Sequence, residues 1–91
     1  MKAVYKYPLA IADEQCLAMP KGAKILSVAV QFEDPKLWAL VDPNAELSAR
    51  RIRISGTGHK IDYPDNSYTY IGSFMLKEGT LVFHVFDLGE E

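Results

Sequence analysis

The stretch Arg50-Arg51-Ile52-Arg53-Ile54-Ser55-Gly56-Thr57-Gly58-His59-Lys60 gathers most of the residue types in this chain that can do chemistry. It contains all three arginines of the protein, and no acid interrupts it between Arg50 and Lys60. Guanidinium forks grip phosphate oxygens in pairs, and glycines allow backbone N–H groups close to an anion. Ser55, Thr57 and His59 add further donors. The spacing is not that of a P-loop, and Ile61-Asp62-Tyr63-Pro64 offers no helix to follow one. A dinucleotide fingerprint would need a third glycine between a parallel strand and a helix. The strip therefore reads as a site for a small phosphorylated ligand. The competing reading is a solvated strand face ending in a glycine bend.

Tyr63, Tyr68 and Tyr70 follow the strip, and a base stacked on such a ring gains about 1–3 kcal/mol. Arginines with stacking rings make a nucleotide site, to which we assign Arg51, Arg53, Ser55, Thr57, His59, Lys60, Tyr68 and Tyr70. Aromatic residues also fill β cores, and Trp38, within Leu37 to Val41, is expected there. Catalytic signals are weaker. His59 has Ser55, Asp62 and Asp65 nearby in sequence, but no nucleophile elbow is present. Metal binding would require Cys16, His59 and His84 to converge without a recognisable ligand spacing. No catalytic residue, metal or cofactor is assigned.

The elements that must position these residues read as strands. No long segment follows a helical period, whereas alternation and β-branched or aromatic residues recur. Strands are expected at Lys2 to Tyr7, Gln15 to Met19, Lys24 to Phe32, Leu37 to Val41, Arg50 to Ser55, Tyr68 to Leu76 and Leu81 to Asp87. The fold class is all-β: a small antiparallel sandwich or open barrel of six to seven strands. Glu33-Asp34-Pro35 reads as a tight turn, and Asp42 to Leu47 as a loop with room for one helical turn. A hairpin of the fourth and fifth strands would place Trp38 and Leu40 with Ile52 and Ile54, leaving Arg51, Arg53 and Ser55 on the other face. In the last hairpin, pairing Leu76 with Leu81 across a type I turn groups Phe74, Phe83, Gly72 and Val85. Ile71, Met75, Val82, His84 and Phe86 then share the second face. Both faces are apolar, so the second is expected at a homo-oligomer interface.

The chain has 91 residues, 48% hydrophobic and 24% charged, with a formal charge of -2. The usual scaling gives a folded surface of roughly 5300 Å², enough for one core, and one domain over residues 1–91 is expected, with residues 88–91 a frayed tail. The single cysteine, Cys16, excludes an internal disulfide and fits a reducing compartment. Met1 to Pro8 lacks a secretory apolar core, and no apolar run is long enough for a spanning helix. A cytosolic protein with no membrane partner is expected. The total charge speaks against generic nucleic-acid binding, yet Arg50 to Lys60 carries +4 and leaves -6 for the rest. Such separation favours a small anion.

Four stretches occur in a specific order: Met19-Pro20-Lys21-Gly22-Ala23-Lys24-Ile25-Leu26-Ser27-Val28, Leu37-Trp38-Ala39-Leu40-Val41-Asp42-Pro43, Arg53-Ile54-Ser55-Gly56-Thr57-Gly58-His59 and Leu81-Val82-Phe83-His84-Val85-Phe86. In these the chain resembles a family of short, functionally uncharacterised proteins of tailed phages and prophages. That resemblance implies an accessory protein in the cytoplasm of an infected bacterium and transfers no catalytic residue. Small oligomeric phage proteins include sponges that sequester nucleotide immune signals, and by that analogy the leading expectation is a non-enzymatic counter-defence sponge. The alternative is an interaction module that inhibits a host or defence protein through Phe74, Val82 and Phe86. A small hydrolase acting at His59 is the third reading.

Overall fold

The alternation along the chain folds into seven strands, seen in a computed structural model that describes residues 1–91. They are β1 (Ala3–Pro8), β2 (Glu14–Pro20), β3 (Lys24–Gln31), β4 (Asp34–Val41), β5 (Leu47–Gly56), β6 (Thr69–Leu76) and β7 (Leu81–Glu90). They form two antiparallel sheets, ordered β1-β4-β3 and β2-β5-β7-β6, that do not close into a barrel. The all-β expectation holds, in its sandwich form. One core lies between the sheets, with Leu37, Ala39 and Val41 from β4 against Ile52, Ile54, Phe74 and Val85 from the other sheet. There is no helix, and so none long and apolar enough to cross a membrane.

The expected hairpin of β4 and β5 does not form. Residues 42–46 carry the chain from one sheet to the other through a turn closed by Ala45 N–H to the Asp42 carbonyl, 3.0 Å, without a helical turn. β4 instead lies between β1 and β3, and β5 between β2 and β7. This reverses the faces of β4. Leu37, Ala39 and Val41 are fully buried, while Trp38 and Leu40 are only half-buried on the outer face, opposite Lys6 and Val4 of β1. The run is apolar at every position, so alternation alone could not choose which residues turn inward. On β5 the choice was legible: Ile52 and Ile54 are core, and Arg51 and Arg53 face outward.

Turns depart from expectation for a common reason. β3 and β4 are joined by Phe32 and Glu33, not by Glu33-Asp34-Pro35, with Gln31 paired to Asp34 and φ values of 51° and 69°. Lys77, Glu78 and Gly79 between β6 and β7 also have positive φ, at 50°, 57° and 87°, in place of a type I turn. Left-handed turns of this kind match the right-handed twist of the strands they join.

The last hairpin pairs Leu76 with Leu81 as expected and keeps that register to Gly72 opposite Val85. A bulge then shifts it, so Tyr70 faces Phe86 and Ile71 packs against the core. Ile71 is therefore not on the outer face assigned to an interface. The sheets are close here, where a Cβ on Gly72 would sit 3.4 Å from Val28 Cγ2. The C-terminus is not frayed either. β7 runs to Glu90, whose carboxylate accepts from Gly22 N–H at 2.9 Å and Ser48 Oγ at 2.8 Å, and Glu91 N–H donates to the Ala49 carbonyl at 2.9 Å.

Candidate functional site: the outer face of the four-stranded sheet

Alternation on β5 projects Arg51 and Arg53 away from the core, and strand pairing sets their neighbours. One row across the sheet reads Glu14 of β2, Arg53 of β5, Phe86 of β7 and Tyr70 of β6. The next places Ser55 opposite His84, and His84 opposite Ser73. Directly opposed residues on one face interact most strongly. Arg51 and Arg53 of the expected ligand strip thus share one surface with His84 and Phe86 of the expected oligomer face, with Met75 and Val82 paired further along it.

The rings form a continuous cluster. Tyr68 and Tyr70 each meet Phe86 edge-on, with centroids 5.4 and 5.3 Å apart, and Tyr63 lies 6.5 Å from Tyr68. Tyr70 is 52% exposed, enough to offer part of its ring to a ligand. His84 joins this cluster to the loop after β5: its Nε2 is 2.8 Å from Thr57 Oγ1, and its Nδ1 is 2.9 Å from the Tyr70 hydroxyl. In the neutral ring one nitrogen donates and the other accepts. Ser55, Thr57, His59, His84 and Phe86 border a shallow pocket of about 130 Å³.

Folding redistributes the +4 of the strip. Arg50 turns away from the outer face and binds Asp87 through two bonds, Nε to Oδ1 at 2.9 Å and an outer nitrogen to Oδ2 at 2.7 Å. Its remaining outer nitrogen donates to the Ala23 carbonyl at 2.7 Å, linking β5 and β7 to the turn before β3. Burial alone would raise the Asp87 pKa, but the Arg50 bonds, the Gly89 N–H and the Arg50 charge outweigh it and hold the carboxyl below its ordinary value. Arg51 lies 3.5 Å from Glu14, which also accepts a bond from the Tyr63 hydroxyl. That hydroxyl, together with the charges of Arg51 and Arg53, holds the Glu14 carboxyl low, while the same bond raises the Tyr63 pKa. Arg53 has no carboxylate within ion-pair distance, and its Nε is buried without a hydrogen-bond partner.

The glycines have local roles. Gly56 to His59 form a turn closed by His59 N–H to the Gly56 carbonyl at 3.1 Å, and Gly58 at its third position has φ of 87°, as a type II turn requires. A Cβ on Gly56 would lie 3.0 Å from the His59 ring, so this glycine gives His59 its place. Ser55 is buried, with its hydroxyl 3.4 Å from the Gly56 carbonyl. Lys60 is exposed and without an ion pair. Cys16, His59 and His84 do not gather, and no three His, Cys, Asp or Glu side chains cluster as metal ligands would. Sequence reasoning missed Glu14 and Asp87 as partners of the arginines, because nothing local to either acid indicates that β2 and β7 flank β5.

Fold and face together define a small two-sheet β protein with one arginine and aromatic sheet surface. The family model described as a domain of unknown function, DUF7352, matches residues 1–91, and the chain belongs to that family. No curated protein and no solved structure matches it.

Proposed function

We propose that the outer face of the β2-β5-β7-β6 sheet binds a phosphorylated nucleotide and sequesters it without turnover. The observation that carries this reading is Arg53: a guanidinium with no carboxylate partner, in the same sheet row as Phe86 and Tyr70. Arg53 supplies the phosphate contact. Arg51 joins it when the ligand displaces Glu14, Thr57 orients the phosphate, and Tyr70 or Tyr68 stacks on the base. Sequestration asks only for anion donors and a stacking surface, both supplied by side chains already on this face.

The biological setting rests on the motif resemblance alone. In this reading the protein is a homo-oligomeric accessory protein of a tailed phage, acting in the cytoplasm of the infected bacterium as a sponge for cyclic oligonucleotide or cyclic ADP-ribose immune signals. Calorimetry against a panel of cyclic di- and trinucleotides and cyclic ADP-ribose species tests it. Binding of at least one member, lost in Arg53→Ala, is the expected result, with the nucleotide recovered intact after the protein is denatured. Silence across the panel sinks the proposal. Recovery of a cleaved nucleotide would instead support the hydrolase reading. The second reading, an inhibitor docking on a host or defence protein, draws on Met75 being 61% exposed on the same face beside half-buried Val82. Capture of a defined partner that survives Arg53→Ala and fails in Val82→Asp would favour it.

A further inference from the structure

The two hairpin tips, Phe32-Glu33 between β3 and β4 and Lys77 to Thr80 between β6 and β7, meet at one end of the sandwich where β3 and β6 are in contact. Between them lies an open hollow of about 670 Å³, bordered by Val30, Glu33, Met75, Leu76, Lys77 and Glu78. Beside it stands Phe32, 91% exposed. A two-residue hairpin turn of this hand favours asparagine and glycine. Phe32 and Glu33 satisfy it at φ of 51° and 69°, in a region that branched and bulky side chains rarely occupy. A large apolar ring is thus held in water, on a strained turn that smaller residues would make more easily. Strain of this kind accompanies binding surfaces.

We infer that this end of the molecule is a two-fold interface in which Phe32 of each copy enters the hollow of the other. A two-fold contact needs one patch that is complementary to itself, and here the knob and the hollow adjoin. Val30 and Met75, 37% and 61% exposed, give the hollow an apolar wall. Methionine adapts to irregular shapes, and its sulfur packs well against aromatic rings. The rim carries Glu33, Glu78 and Lys77, so each copy brings both signs of charge to the axis. The chain exposes 5825 Å² against roughly 5300 Å² for a monomer of this mass, more surface than a compact fold leaves in water. The inference does not rest on the nucleotide reading, although Met75 stands at the end of the same sheet face.

Sedimentation equilibrium across a concentration series tests it. The wild type should reach twice the 10.2 kDa chain mass. Phe32→Ser should weaken the dimer at least about tenfold while leaving the circular dichroism spectrum unchanged, because the ring makes no core contact. Met75→Asp should weaken it similarly. Mixing the two variants should recover part of the dimer, since the intact knob of the second meets the intact hollow of the first at one of the two symmetric contacts. A wild type that stays monomeric at every concentration overturns the inference. So does a dimer that survives Phe32→Ser, or one lost only in Val82→Asp, which would move the interface to the sheet face.

Discussion

Three arginines within four residues have three different fates, and each is decided by what the fold brings to it. Arg50 faces the inside, where its pair with Asp87 leaves the two side chains 11% and 13% exposed. Removing one member strands the other charge in a dry place, so Arg50→Ala should cost about 3 kcal/mol in urea unfolding. The pair also sets an acid limit. The Asp87 pKa is lower folded than unfolded, so its contribution is complete above the ordinary carboxylate range and disappears as pH falls through the folded value. In Asp87→Asn the acid limb of the stability profile should flatten, with a lower plateau at neutral pH; an unchanged limb would assign acid sensitivity elsewhere. Arg51 is held by an exposed glutamate, which occupies it much as a ligand carboxylate or phosphate would. On the proposed nucleotide reading, Glu14→Gln should therefore tighten binding a few-fold by calorimetry, whereas Arg53→Ala should abolish it. Weaker binding in Glu14→Gln would mean that Glu14 positions the ligand and does not compete with it.

At the level of elements, the strands were legible and their partners were not. Alternation placed Ile52 and Ile54 correctly because polar and apolar positions differ on β5, and pairing Leu76 with Leu81 placed the last hairpin correctly as far as Gly72 and Val85. β4 carries apolar residues on both faces, so its orientation came from pairing with β1 and β3, contacts of long sequence separation that leave no local mark. The bulge at Ile71 is equally silent in composition, yet it packs Ile71 against the core and brings Tyr70 to His84 and Phe86. The face carrying the candidate site was therefore half visible: its arginines and tyrosines were named, but Glu14 was missing and His84 and Phe86 were assigned to a separate interface. Left-handed turns without asparagine, and with glycine at only one place, were also hidden. At Lys77 and Glu78 the φ values of 50° and 57° suit asparagine and glycine better. Lys77→Asn with Glu78→Gly should stabilise the fold by about 1 kcal/mol in thermal melts, if the strain is not repaid by contacts the wild-type side chains make. A loss of stability would identify such contacts.

The molecule as a whole is thin, 40 × 34 × 16 Å, and buries only 14 of its 91 residues. A slab of that kind has two broad faces and a rim, and the sequence has invested differently in each. The outer face of the β2-β5-β7-β6 sheet carries Arg51, Arg53 and the rings. The outer face of the other sheet presents Lys6, Lys24 and Lys36 beside half-buried Trp38, and like charges there oppose face-to-face pairing of two copies. If, as proposed, the hairpin end serves self-association and a broad face the ligand, assembly and binding should separate under mutation. Phe32→Ser should lower the sedimented mass while leaving the nucleotide dissociation constant unchanged. Arg53→Ala should abolish binding and keep the wild-type mass. Because binding to the native state alone stabilises it by mass action, saturating nucleotide should raise the melting temperature of the Phe32→Ser monomer by as much as it raises that of the dimer. If Phe32→Ser lost both properties together, the ligand would have to sit across the two-fold axis, and the division of labour between face and rim would be wrong.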